Sequence, residues 1–229
     1  MATKNKHKIL YIHDTHFPYV DKKALKKVYE LIEKEQPTHI VQAGDLLDLY
    51  SFSRYEKDAN FTTPEDELQQ GLTMATEMWE TIKALAPKAK CYQLIGNHED
   101  RLNKTIARKA PELQTLVPSI QDMFSFKGVK VMSSSKEHLE LYGVIYTLGH
   151  YTKLGDHAKF YGKPVVHGHS HRIGVWYEQL GGSLLWEMDT GFLADKKALP
   201  LQYTQSQYSK WTLAIGIVED GQPRLITLE

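Results

Sequence analysis

The sequence predicts an α/β protein whose ligands gather at the C-terminal ends of its strands. Three observations lead there. The first hundred residues alternate strand and helix, the second half is richer in strands, and metal-ligand residue types recur directly after the apolar runs.

KILYI (8–12) is a compact β-rich run. DKKALKKVYELIEKEQ (21–36) sets Ala24, Leu25, Val28, Leu31 and Ile32 on one helical face, with Asp21 as N-cap. HIVQA (39–43) is a second strand. A longer helix starts at TTPEDELQQ, with Thr63 as N-cap and Pro64 at the first helical position. Its apolar stripe runs Leu68, Leu72, Ala75, Trp79, Ile82 and Ala86. KCYQLI (90–95) is the third strand. Beyond it, VKVM, LELYGVIYTLG, KPVVH, IGVWYEQ, SLLWEMD and WTLAIGIVE read as strands. The last turns at Asp220-Gly221 into PRLITLE as a hairpin. With no repeat, low-complexity tract or Gly/Ser/Pro-rich linker, residues 1–229 are expected to form one domain. Two aperiodic stretches, 49–63 and 193–210, are long for connections and read as lids, binding loops or surface excursions.

Lys+Arg and Asp+Glu number 28 each among the 229 residues, so no global charge draws the chain to nucleic acid or membrane. The single cysteine, Cys91, excludes an internal disulfide, suits a reducing compartment, and reads as a core thiol. The N-terminal apolar run, of about five residues, is too short for a signal peptide. No stretch approaches the roughly 18 apolar residues of a membrane span. A soluble cytoplasmic protein with no membrane partner is expected.

The polar residues that follow the strands carry the chemistry. IHDTH contributes Asp14 and His16, AGDLLD contributes Asp45 and Asp48, and IGNHED contributes Asn97, His98 and Glu99. Later strands end in LGH, giving His150, and in HGHSH, giving His167, His169 and His171. Singly, each would more often be a structural polar group at a strand end. Together they form a mixed oxygen and imidazole donor set, which suits Mn, Fe, Zn, Ni or Co better than Ca or Mg. A carboxylate between two cations can bridge them, and two metals about 3.5–4 Å apart can clamp both oxygens of an in-line displacement at phosphorus.

In this order the motifs resemble those of the calcineurin-like metallophosphoesterases: D-x-H, GD, GNH followed by D or E, a late H, and GH-x-H. The elements here are Asp14-Thr15-His16, Gly44-Asp45, Gly96-Asn97-His98-Glu99, His150 and Gly168-His169-Ser170-His171. Spacing and length are most similar to the small phage and bacterial members. The resemblance implies a four-layer α/β/β/α sandwich of two mixed sheets flanked by helices, and two divalent metal ions, manganese first among the candidates. It implies Asp14, His16 and His171 on one metal, Asp45 bridging, and Asn97, His150 and His169 on the other. His98 would face the substrate, stabilising the transition state or protonating the leaving oxygen. Asp48 matches a carboxylate that orients that histidine in the phosphoprotein-phosphatase branch, whose motif reads GD-x-x-D-R-G. Here LY follows instead of RG, so that branch's phosphate-gripping arginine is missing, with Arg54 and Arg101 as candidates to replace it.

The implied activity is hydrolysis of phosphate esters by in-line attack of a metal-bridging hydroxide. The missing arginine favours phosphodiesters, making the chain a nuclease or nucleotide phosphodiesterase. A phosphomonoesterase or protein phosphatase is the alternative, and a non-catalytic metal-binding scaffold like the retromer subunit a further one. Tyr151 and Arg172 are substrate candidates, as is Glu99, each by adjacency to a motif. Arg101, Lys104 and Arg108 follow at helical spacing, as a phosphate-binding or a solvated face. His13 is expected to point away from Asp14 and pack. In VVHGHSHRIG a continuing strand would aim His167, His169 and His171 the same way. Two of them can serve different metals only if the chain leaves strand geometry near Gly168, with His167 left behind at the strand end.

Overall fold

A computed structural model of the chain describes residues 7–55, 58, 61–132, 134–201 and 210–229. Parts of the 49–63 and 193–210 stretches therefore lie outside the described residues. Two mixed sheets face each other. The first holds six strands in the order β11-β10-β1-β2-β3-β4: β1 (Lys8–Ile12), β2 (His39–Gln42), β3 (Lys90–Gln93), β4 (Val129–Val131), β10 (Ala214–Glu219) and β11 (Gln222–Thr227). The second holds five in the order β5-β6-β7-β9-β8: β5 (Leu139–Leu141), β6 (Val144–Tyr146), β7 (Val165–His167), β8 (Ile173–Leu180) and β9 (Ser183–Thr190).

Strands β1 to β4 are parallel, as βαβ crossovers require, while β10 and β11 close the sheet as an antiparallel hairpin. Helices α1 (Lys22–Glu35) and α2 (Pro64–Leu85) cover its outer face. Asp21 caps α1 by accepting from the Lys23 and Ala24 amides, both at 2.9 Å, and Thr63 caps α2 by accepting from the Asp66 amide at 3.1 Å. Val28 and Ile32 of α1 and Trp79 and Ile82 of α2 pack on Leu10, Ile12 and Ile40. Each such buried side chain contributes about 1.5–3 kcal/mol.

Between the sheets, Tyr11, Val41 and Leu94 meet Tyr146, Val166 and Met188. On the far face of the second sheet Ala158 of α5 (Asp156–Tyr161) packs on Ile145 and Val165. The layers are thus α/β/β/α, with a fourth layer only one short helix thick. Two further helices, α3 (Asp100–Lys109) and α4 (Ile120–Met123), lie between β3 and β4 in the chain. Among the described residues no helix is long and apolar enough to cross a membrane.

One expectation is corrected. LELYGVIYTLG does not form one strand but the β5–β6 hairpin, turned by Tyr142 (φ 52°) and Gly143 (φ 78°). Two successive left-handed residues match the twist of a tight hairpin, and a Tyr-Gly pair conceals that turn inside an apolar run.

Candidate metal centre

Because β1, β2 and β3 are parallel neighbours, their C-terminal ends lie side by side, and the loops that follow continue the pairing. The Asp14 amide donates to the Gly44 carbonyl (3.1 Å), that of His16 to Asp45 (3.0 Å), and that of Phe17 to Leu46 (2.7 Å). The β7 exit joins from the second sheet, where the His169 amide donates to Asp14 Oδ2 at 2.8 Å.

Five of the ligand candidates have left-handed backbone: Asp14 (φ 46°), His16 (φ 48°), Asp45 (φ 48°), His169 (φ 67°) and His171 (φ 60°). For residues with a Cβ this conformation costs roughly 1–2 kcal/mol each, and such strain concentrates at functional sites. It breaks the alternation of an extended chain, so residues two apart no longer point the same way. The β7 strand ends at His167 and leaves extended geometry beyond it, as the sequence requires. Two glycines make the crossing possible. A Cβ on Gly168 would lie 1.9 Å from the His13 ring, and one on Gly96 would lie 2.2 Å from the Asp45 amide nitrogen.

Donor atoms of Asp14, His16 and His171 lie within 4.8 Å of one another, all three residues buried. Asp14 Oδ1 is 3.5 Å from His16 Nε2 and 3.7 Å from His171 Nε2. Asp14 Oδ1 and His16 Nε2 are buried without a hydrogen-bond partner. Orphaned buried polar atoms are costly, and here a carboxylate oxygen and an imidazole nitrogen converge on one point. Such atoms fit a divalent cation. Burial and then the Asp14 carboxylate push Asp45 up to about 6, a cost that a cation between the two acids would offset.

His13 does not simply pack. It is fully buried, and its Nδ1 bonds Asp14 Oδ2 while Nε2 meets the Thr190 hydroxyl. The left-handed turn at Asp14 brings its carboxylate back onto the preceding ring. Burial alone would raise the Asp14 pKa, but the His13, His16 and His171 contacts hold it well below the usual carboxylate range.

Asp48 has two roles, split between its carboxylate and its carbonyl. Oδ2 lies 3.0 Å from His16 Nδ1, and the backbone carbonyl accepts from His98 Nδ1 at 2.9 Å. The carboxylate is 3.7 Å from His98, so it orients His16 and leaves His98 to the main chain. Arg101 donates to the same carbonyl (2.9 Å) and, through Nη2, to His98 Nε2 (2.7 Å). His98 is therefore a neutral ring with its proton on Nδ1. Burial, His16 and Arg101 all lower its pKa.

Glu99 does not face substrate. It is fully buried and accepts from the Gly96 (2.6 Å), Leu47 (2.8 Å) and Asp45 (3.1 Å) amides, clasping the second and third loops together. Burial and the Asp45 charge push it up to about 8.

Asp45, Asn97 and His169 line one cleft of about 570 Å³ together with His98 and His171. His150 is not drawn in: it is exposed, its ring 4.0 Å from that of Tyr151 and 6.3 Å from that of Phe160. Tyr151 stands with it, outside the cleft lining, whereas Arg54, Arg101 and Arg172 line the cleft. The His150 and Tyr151 amides donate to His157 Nε2 (3.0 and 3.2 Å), and His157 Nδ1 bonds Glu187 Oε1 (3.2 Å). The same oxygen takes His167 Nε2 at 2.9 Å. With every nitrogen of these rings partnered, the His157–Glu187–His167 cluster is a hydrogen-bond network that fixes the β6 and β7 exits. His157 sits in a polar stretch with no motif and Glu187 halfway along a strand. The only sequence signal is the pair of carboxylates, Glu187 and Asp189, within the apolar SLLWEMD run.

The fold and site together resemble the calcineurin-like metallophosphoesterases: a four-layer sandwich with a His/Asp cluster at its strand ends. No protein-family model matches the chain. Among curated proteins it is similar to the Gene 54 protein of Mycobacterium phage D29, 28% identical over 246 residues, covering 96% of this chain and 93% of that one. The Gene 54 protein of Mycobacterium phage L5 is 29% identical over the same length and shares. Among solved structures, YfcE, a phosphoesterase from E. coli, overlays with a TM-score of 0.45 at 15% identity, covering 97% of this chain and 93% of that one. A single mutant of Vps29 from Entamoeba histolytica overlays at 0.45 with 11% identity, covering 96% and 97%.

Proposed function

We propose that this chain is a two-metal hydrolase of phosphate esters that favours phosphodiesters, as a nuclease or nucleotide phosphodiesterase. The observation that carries the reading is the pair of orphaned buried donors, Asp14 Oδ1 and His16 Nε2, 3.5 Å apart beside His98. Asp14, His16 and His171 would hold one ion and Asp45 would be shared. Asn97 and His169 would serve the second, with His150 joining after its ring turns from Tyr151. Bound divalent ions, with manganese first and Fe, Zn, Ni or Co also suited to these donors, supply an activated water and offset charge on the phosphoryl group.

The chain's own groups do the rest. The Asp48 carboxylate steers His16, and its carbonyl steers His98. Arg101 offers its guanidinium to a phosphoryl oxygen from a point 2.7 Å from His98 Nε2. Burial and cationic neighbours keep His98 neutral at rest. A phosphate anion beside it works the other way: with Arg101 Nη2 drawn from Nε2 to the phosphoryl group, the ring protonated at Nε2 can donate to the leaving oxygen. The strand-end glycines and left-handed turns hold these groups rigid before substrate arrives, which is where most electrostatic catalysis originates.

The test is turnover of bis-p-nitrophenyl phosphate against p-nitrophenyl phosphate with Mn²⁺. Faster hydrolysis of the diester is expected. Faster hydrolysis of the monoester would overturn the diester preference and leave a phosphomonoesterase.

A further inference from the structure

The cleft extends well past the ligand cluster, and its charge is one-sided. Among the described residues, Arg54, Arg101, Lys104, Arg108 and Arg172 line it against one carboxylate, Asp45, which is 1% exposed at its floor. In a chain with 28 residues of each sign, that is a local concentration of cations. Three of them form a row on one face of α3 at i, i+3 and i+7, about 10 Å long. That length is too great for one phosphate to span, so the row can meet more than one phosphate of a strand. The inner end of the row is Arg101, already bonded to His98. Lys104, in a 3.2 Å pair with Asp100, and Arg108 are exposed further out. Beside them Tyr55 is 45% exposed, with the Arg54 guanidinium 5.3 Å from its ring centre.

A small diester has one phosphate and engages only the inner end of this row. A ligand that uses Arg101, Lys104 and Arg108 together must carry several phosphates in line. The ligand donors Asp14 and His16 are fully buried, so the strand must bend to bring a phosphate down to them. A flat exposed ring such as Tyr55 stacks only on an unpaired base. We infer that the cleft takes single-stranded nucleic acid, with Lys104 and Arg108 on phosphates flanking the one at His98 and Tyr55 under a base. The inference rests on the hydrolase reading above for what happens at that phosphate, but not for binding.

Binding is measured by fluorescence anisotropy of a short labelled oligodeoxynucleotide in chelator, where no turnover occurs, across a salt series. The Lys104→Gln/Arg108→Gln variant should bind about tenfold more weakly, with a log–log salt slope shallower by about 1.4. Tyr55→Ala should lose about fivefold or more. With Mn²⁺, the ratio of oligonucleotide to bis-p-nitrophenyl phosphate turnover should fall about tenfold in the double variant. Unchanged affinity and slope, or a duplex bound as tightly as the single strand, overturns the inference. Strand binding through these residues without turnover of either ester would uphold it and sink the hydrolase reading instead.

Discussion

Asp48 illustrates how one residue can serve two partners through different atoms. Asp48→Asn keeps the carbonyl on His98 but weakens the support of His16, which predicts a 10- to 100-fold loss of metal affinity. Titrating Mn²⁺ checks this: activity should return at high metal, whereas a loss that metal cannot restore would put the carboxylate on His98. For His98→Ala the expectation is a fall in kcat of about 10² or more with metal binding intact, measured by turnover alongside isothermal titration. The residues in these tests were legible because their types recur after apolar runs. Glu99 was legible as a polar neighbour but not as a clasp, since its partners include the amides of Asp45 and Leu47, 54 and 52 residues away in the chain. His13 was misread because period-two reasoning fails where Asp14 turns left-handed.

Elements such as β7 and its exit work only as a unit. Gly168→Ala would drive a methyl into the His13 ring, so a loss of about 1–3 kcal/mol in stability is expected, with metal binding impaired as well. Chemical denaturation checks it, and wild-type stability would contradict the packing described. The His167–Glu187 pair predicts a pH window. Although burial opposes its charge, hydrogen bonds from His157 and His167 hold Glu187 below its ordinary value. Its contribution is therefore present above about pH 4.3 and is lost as pH falls through the depressed value. Burial also opposes a charged His167, but the Glu187 bond raises its pKa overall, so its part is full below about pH 6.5 and is lost as pH rises through the raised value. The melting-temperature gap between wild type and Glu187→Gln should be widest at about pH 5–6 and narrow on both sides; a flat gap would contradict it. Strands and caps of the first half were readable from periodicity, because each buries one face on α1 or α2. Helix α5 was not: its six residues are too few for a period to emerge.

At the scale of the whole molecule, two sheets bring together motifs that are up to 157 residues apart, from Asp14 to His171. Parallel β1, β2 and β3 align their ends on one sheet, and β7 delivers its histidines from the other. That convergence was foreseeable in outline from the strand-end rule. The open position of His150 was not, because its ring contacts are made with Tyr151 and Phe160 on the outer layer. Buried donors that a divalent cation would satisfy, beneath a cationic cleft, make this chain a candidate metal-dependent hydrolase. The most direct test of that reading is turnover of bis-p-nitrophenyl phosphate by the wild-type chain, with Mn²⁺ and with chelator. Hydrolysis that appears with Mn²⁺ and vanishes in chelator is the expected result. No turnover at saturating Mn²⁺, or turnover indifferent to chelator, would contradict it.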